Sequence, residues 1–329
     1  MIGSVVVEGE EVFQSHEKIK YIRFDGGSEK LVVVFSGFNG PDAERQQSYN
    51  YIRSLKNLNL SKLYILDNHG ERGSYYLGKI KHGTVEKSVF ELIEFQRKEL
   101  GITRENIILC GSSKGGSAAL YFGLKYGYGE VISGAPQIQI ADYLASLDHT
   151  QQTLSYITGD VLTLVNELNN LIENQIIASS GKTELTFFSS HNDWQYKVHL
   201  SPFLKKLDDE NLTYSLEISD YPSHGQVGTY FGDYLFKTIY KSAFSKDFPE
   251  SKTVFTKYSD RLKYSTETLE DDLVFAYYFQ VDNEVIEKRW YSKDLVGEIQ
   301  ILDLENKNVI VYVFVKDVKG NIMVSNYSL

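Results

Sequence analysis

Apolar residues along roughly the first 245 positions fall into two alternating patterns. Short blocks such as LVVVF (31–35), LYIL (63–66), NIILC (106–110) and EVIS (130–133) are apolar at nearly every position. That pattern predicts strands buried on both faces. Lys18–Asp25, Glu184–Phe188 and Thr213–Ile218 read as further strands. Between them stand segments with apolar residues three and four apart: 42–58, VEKSVFELIEFQRKEL, SAALYFGLKY (117–126), a stretch near 202–208, and one from about 227 to 242. These predict amphipathic helices. Thr84 reads as the N-cap of the second, and Gly101 as the glycine that ends it. Strand and helix in alternation imply parallel strands joined by right-handed crossovers, hence an α/β fold with a doubly wound, mostly parallel sheet.

Two segments depart from this rhythm. Residues 137–180, with DVLTLVNELNNLIENQI, are helical in pattern and longer than a crossover needs. They read as a helical insertion capping the C-terminal edge of the sheet. After Phe248–Pro249 the chain alternates apolar and polar residues, as in DLVFAYYFQV and NVIVYVFVKD, with turn residues between. That predicts an all-β, sandwich-like module of six or seven short strands. The expected division is a catalytic domain over 1–248 and a β domain over 249–329.

Composition narrows the classes. The formal net charge is −10, which disfavours a nucleic-acid backbone as the partner. With a single cysteine, Cys110, the chain cannot form an internal disulfide. Cys110 reads as a small buried hydrophobe. No apolar run approaches the length of a membrane span, and the first residues do not read as a signal peptide. A soluble, cytoplasmic protein is the expectation.

The sharpest local signal is Gly111-Ser112-Ser113-Lys114-Gly115. It is a G-x-S-x-G with a buried strand before it and a helix after it, the setting of a nucleophile on a tight strand-to-helix turn. A serine hydroxyl needs a histidine to take its proton and a carboxylate to orient that histidine. In this fold they follow in the order Ser, Asp or Glu, His. Asp193 in SSHNDWQ and His224 in SDYPSHGQ supply that order on loops after the last two strands. Asp220 is the alternative acid. His69 and His191 are the competing histidines. His16, His82, His149 and His199 fall in helical or polar surface contexts. An oxyanion needs two backbone donors. Lys114 is expected to give one, and Phe38 or Asn39 in the loop SGFNG the other. Arg72, in the loop that also holds Asp67 and His69, is read either as a ligand for a polar or anionic substrate group or as part of a solvated turn. His191 either lines the pocket or stabilises its loop. No metal site is read.

ILCGSSKGGSAALYFGLKYGYGEVISGAPQ, DNHGERGSYYLG and YPSHG resemble a bacterial group within the α/β-hydrolases. That group includes capsular polysaccharide biosynthesis proteins and the accessory Sec system protein that O-acetylates glycans on serine-rich adhesins. The likeness covers roughly residues 30–245. It implies Ser113 as nucleophile, His224 as base and Asp193 as acid, with acyl transfer to, or removal from, a carbohydrate hydroxyl. It further implies a carbohydrate or glycoprotein substrate and protein partners in a glycan or secretion pathway. No resident cofactor is expected; an acetyl donor such as acetyl-CoA enters only as a co-substrate. The rival readings are a non-catalytic scaffold of such an assembly and a serine peptidase of the same fold.

Overall fold

The computed structural model describes residues 8–27, 29–40, 43, 47–178, 182–301 and 304–329. The chain divides into two compact units, Met1–Ser54 with Leu60–Ile239, and Leu55–Asn59 with Tyr240–Leu329. Among the described residues, no helix is long and apolar enough to cross a membrane.

The first unit holds an eight-stranded sheet. Its strands are β1 (Glu10–Gln14), β2 (Lys18–Phe24), β3 (Leu31–Phe35), β4 (Ser61–Ile65), β5 (Ile107–Ser112), β6 (Glu130–Gly134), β7 (Glu184–Ser190) and β8 (Tyr214–Ser219). Their order is β1-β2-β4-β3-β5-β6-β7-β8. β1 pairs antiparallel with β2, and β2 with β4. Every pairing from β4 to β8 is parallel. β3 to β6 are buried at every position, in keeping with their apolar cores. Successive side chains of β3 still alternate: Val33 and Phe35 join the large core cluster on one face, and Val32 and Val34 are buried outside it. This is the α/β-hydrolase fold, and the sheet is mostly parallel, as the patterning predicts.

The helices that begin in this unit are α1 (Ile52–Leu55), α2 (Thr84–Glu99), α3 (Lys114–Tyr126), α4 (Ile140–Ala145), α5 (Gln151–Thr158), α6 (Leu162–Asn169), α7 (Glu173–Ala178), α8 (Ser201–Asp209) and α9 (Val227–Phe244). α4 to α7 fill the stretch between β6 and β7. Two expectations are corrected. The helix read over 42–58 shrinks to the single turn α1; positions 42 and 44–46 lie outside the described residues. Tertiary tethers override the local pattern there. Tyr51 takes a left-handed backbone (φ 59°), its hydroxyl meets Ser112 Oγ, and Asn50 Oδ1 accepts the Gly37 amide. Thr84 is not the N-cap of α2. Gly83, at φ 64°, holds that position, and the Thr84 hydroxyl donates instead to Glu17. β1 is not legible as a strand in the sequence, because its exposed positions show no clean alternation.

In the second unit, β9 (Ser251–Lys257), β10 (Arg261–Thr268) and β13 (Val296–Gln300) form one antiparallel sheet. β11 (Val274–Val281), β12 (Glu284–Ser292), β14 (Val309–Lys316) and β15 (Ile322–Ser328) form another. Tyr264 of β10 packs on Tyr277 of β11 with ring centroids 4.3 Å apart, and Thr266 shares a hydrogen bond with the Tyr277 hydroxyl. The two sheets therefore face each other, as in a sandwich. Asn57 and Asn59 join this unit by bonding Ile322 and Asn321.

The strand order places the site. From β3 the chain moves to β4 on one side and then to β5 on the other. Ligands of open α/β sheets bind at such a reversal, beyond the carboxyl ends of the strands. The loop SGFNG leaves β3 and the G-x-S-x-G turn leaves β5, at that point. The turn is packed without slack: a Cβ on Gly115 would lie 2.3 Å from the Phe35 carbonyl oxygen, and one on Gly111 2.6 Å from Gly115 backbone. Gly115→Ala is therefore expected to lower stability by about 1–3 kcal/mol. Urea denaturation checks this; an unchanged midpoint would contradict the packing.

Candidate active site

Ser113 stands between β5 and α3 with φ 55° and ψ −126°. Few non-glycine residues adopt such a backbone, and it persists only where the surroundings enforce it. They do so here. The Ser113 amide donates to the Gly134 carbonyl on β6 at 2.8 Å, and Gly111, Gly115 and Gly116 let strand and helix backbones close up. The turn aims the Ser113 hydroxyl away from the sheet. The first amides of α3 have no acceptor within the helix and point to the same place.

His224 begins a short 3-10 turn after β8, and Asp193 lies in the loop after β7. His224 Nε2 is 3.0 Å from Ser113 Oγ, and His224 Nδ1 is 2.8 Å from Asp193 Oδ2. A carboxylate only accepts, so Nδ1 carries the proton and Nε2 is free to accept from the serine. Asp193 is fully buried. It also accepts from the Tyr221 hydroxyl at 2.9 Å and from the Gln195 amide at 2.9 Å. Asp220 is exposed.

The loop after β3 lies against this serine. A Cβ on Gly37 would sit 4.0 Å from Ser113 Cβ. The loop is tied at several points: Ser36 N to the Tyr76 hydroxyl, Gly37 N to Asn50, and the Asn39 side chain to Ser48. Phe38 and Asn39 are thereby held near Ser113, across from Lys114 at the start of α3.

Lys114 is anchored from below. Its ammonium donates to Asp67 Oδ2 at 2.7 Å, with both side chains nearly inaccessible, 2% and 1% exposed. Burial pulls the Lys114 pKa below the usual lysine range, and Asp67 opposes that pull. Asp67 accepts in addition from the Ser74 amide and hydroxyl and the Tyr76 amide. The ammonium also lies over the Phe38 and Tyr76 rings, 5.2 and 5.1 Å from their centroids. Gly73 is required where this pair passes: a Cβ there would meet Asp67 at 2.6 Å.

Arg72 is buried and engaged as a cross-link. It donates to the Asn39 carbonyl at 2.6 Å and to the His149 carbonyl at 3.1 Å, joining the β3 loop to the segment before α5. His191 is exposed and lies edge-on to Tyr196, on the loop that carries Asp193. His199 departs from its surface expectation. It is buried beneath Tyr143 and Trp194, with neither ring nitrogen hydrogen-bonded. Burial lowers its pKa from 6.5 to about 4, so the ring is neutral. Above it Tyr143 is stacked with Trp194 and with Phe38, giving an aromatic row from the β3 loop to the loop that carries Asp193, and Trp194 is 42% exposed. Cys110 is fully buried, which raises its thiol pKa.

Gln137, in the loop after β6, carries no signal in the sequence. Its Nε2 donates to Ser113 Oγ at 2.6 Å and to Gln195 Oε1 at 3.0 Å. Among the described residues, no group of three or more His, Cys, Asp or Glu side chains could hold a metal ion.

Fold and site together define an α/β-hydrolase with a buried aspartate, a histidine and an elbow serine in hydrogen-bonded sequence. Residues 1–182 match the family described as "Accessory Sec system GspB-transporter", and the chain belongs to that family. It is 29% identical to an accessory Sec system protein of Staphylococcus aureus over 42% of this chain and 26% of that protein. The matched segment thus spans about a quarter of the curated relatives' length. Among solved structures, the capsule O-acetyltransferase of Neisseria meningitidis serogroup A aligns with a TM-score of 0.62 and 24% identity over 72% of this chain and 96% of that one. A fluorophosphonate-binding serine hydrolase of Staphylococcus aureus, FphF, aligns with a TM-score of 0.54 and 14% identity over 70% and 96%. At these identities the structural likeness concerns the fold.

Two outcomes follow from the buried charges. Lys114→Met strands Asp67 without its counter-charge, and a loss of about 3–5 kcal/mol in denaturant unfolding is expected; a loss below about 1 kcal/mol would contradict the pairing. His199 has a folded pKa below its unfolded value, so the unfolded state binds the extra proton. Its contribution is complete above pH 6.5 and falls as pH drops toward about 4. The wild type should therefore lose stability over that window with an added slope of up to about 1.4 kcal/mol per pH unit. His199→Phe should remove that added slope, and equal slopes in the two proteins would refute it.

Proposed function

We propose that the first unit is a serine-dependent acyl-ester enzyme, an O-acetyltransferase or esterase acting on a carbohydrate hydroxyl of a cell-surface or capsular glycan or glycoprotein. The observation that carries the reading is the pair of contacts on one imidazole, 3.0 Å to the Ser113 hydroxyl and 2.8 Å to the buried Asp193 carboxylate. A serine held in a strained backbone with an imidazole nitrogen on its oxygen is equipped for attack on an acyl carbonyl.

In this reading Ser113 Oγ bonds to the acyl carbon while its proton passes to His224 Nε2. Asp193 keeps the ring in the required tautomer and stabilises the imidazolium. The carbonyl oxygen becomes an oxyanion, received by the Lys114 amide and by the amide of Phe38 or Asn39. His224 returns the proton to the leaving group as the bond from the acyl carbon to that group breaks. The acceptor hydroxyl then gives its proton to His224 and takes the acyl group, and Ser113 Oγ leaves and is reprotonated. The exposed Trp194 ring, next in sequence to Asp193, offers an apolar face that a sugar can stack on, which supports a carbohydrate acceptor. Arg72 acts on substrate indirectly, by holding the loop that carries Phe38 and Asn39. An acetyl thioester such as acetyl-CoA would serve as donor and co-substrate. Membership of an accessory Sec family supports protein partners in a glycan or secretion pathway.

The test is intact-mass measurement after exposure to a fluorophosphonate and, separately, to acetyl donors. One adduct per chain on Ser113 is expected, with Ser113→Ala unlabelled and its turnover of p-nitrophenyl acetate reduced by about 10⁴-fold or more. A folded wild-type protein that takes no label would contradict the reading.

A further inference from the structure

Two side chains in the core of the site bond Ser113 Oγ, and the reaction above uses one of them, His224. The other is Gln137. Its side chain is fully buried, and its amide is oriented by its neighbours. The buried Tyr75 hydroxyl donates to Oε1 at 3.2 Å, and the Ser117 hydroxyl lies 3.4 Å from the same oxygen. That end accepts, so the NH₂ end faces the serine. One of its protons goes to Ser113 Oγ at 2.6 Å and the other to Gln195 Oε1 at 3.0 Å. Independently of that side chain, the Gln195 backbone N–H donates to Asp193 Oδ1. The backbone is fixed as well: Gln137 N donates to Ser117 Oγ, and that hydroxyl lies 2.7 Å from the Gln137 carbonyl. Tyr75 reaches this place through the left-handed pair Tyr75–Tyr76, φ 55° and 62°, so strained backbone is spent on setting the amide.

We infer that Gln137 is a catalytic residue that drives the acyl-enzyme toward turnover by hydrogen-bonding Ser113 Oγ as leaving group. This rests on the serine-acyl reading above. A serine hydroxyl accepts a hydrogen bond well, and an ester oxygen accepts one poorly. When the Oγ–C bond forms, Gln137 loses most of its bond, and when that bond breaks it regains it. The bond is also strongest at the moment negative charge gathers on Oγ during its departure. In deacylation the acceptor O–C bond forms, the acceptor proton moves to His224 Nε2, the Oγ–C electron pair returns to Oγ, and the proton follows to it. Gln137 stabilises that returning pair. It therefore raises the acyl-enzyme relative to the free enzyme and favours passing the acyl group on.

Stopped-flow p-nitrophenyl acetate kinetics with intact-mass trapping separates the two halves of turnover. In Gln137→Met, deacylation should slow roughly 3- to 10-fold relative to acylation, and the Ser113 acyl adduct should accumulate. Gln137→Glu keeps the shape and carries an acceptor when ionised. Its deacylation-to-acylation ratio should recover on acidification, when the introduced carboxyl again donates, a pH signature that a merely structural role does not produce. Equal loss in both steps, or an unchanged ratio in both variants, overturns the inference while leaving Ser113 as nucleophile. A wild type that forms no Ser113 adduct overturns the serine-acyl reading and this inference with it.

Discussion

The residue that follows the elbow serine carries an ammonium group with almost no access to water, and much of the site's rigidity follows from how its charge is satisfied. Two opposite charges at 2.7 Å in a dry interior attract strongly, and either one alone there would be costly. Lys114 is the first residue of α3 and the neighbour of Ser113. Asp67 begins the loop after β4. Their pairing therefore ties the G-x-S-x-G turn to a strand two places across the sheet. The same carboxylate gathers the Ser74 and Tyr76 amides, and Tyr76 closes the circuit by accepting the Ser36 amide of the β3 loop. One carboxylate thus sets both walls between which an oxyanion would form. Arg72 adds a second tie, from the β3 loop to the helices that follow β6.

How much of this is readable in the sequence divides by the range of the interactions. LVVVF and NIILC declare themselves because strands buried on both faces favour apolar residues at successive positions. G-x-S-x-G declares itself because Gly111 and Gly115 would collide with backbone if they carried a Cβ. Asp193 and His224 can be picked by their order after late strands, and the structure brings both to Ser113. Gln137, Tyr51 and the inward turn of Asp67 cannot be picked, since each is defined by a partner tens of residues away and follows no local period. The same holds for the stretch before α1: its apolar spacing suits a helix, yet Asn50 and Tyr51 are drawn to Gly37 and Ser112 and the helix is reduced to one turn. His199 misleads for a related reason. Its segment looks polar, but Tyr143 arrives from α4 to cover it.

Transfer and hydrolysis require the same serine, histidine and oxyanion donors, and differ in what reaches the acyl-enzyme. The surroundings of Ser113 bear on that choice. A neutral, buried His199 and the Phe38–Tyr143–Trp194 row form an aromatic surface between the β3 loop and the loop that carries Asp193. On the other side the Gln137 side chain donates to Gln195 Oε1, and the Gln195 backbone amide holds Asp193.

The central claim is that the Lys114 amide and the loop after β3 face the atom that Ser113 attacks. A crystal structure of the protein after reaction with a small organophosphonate tests it directly. Phosphorus bonded to Ser113 Oγ is expected, with the phosphonyl oxygen about 2.7–3.1 Å from the Lys114 amide and from the amide of Phe38 or Asn39. A phosphonyl oxygen turned to solvent, or an adduct on any other side chain, would contradict it.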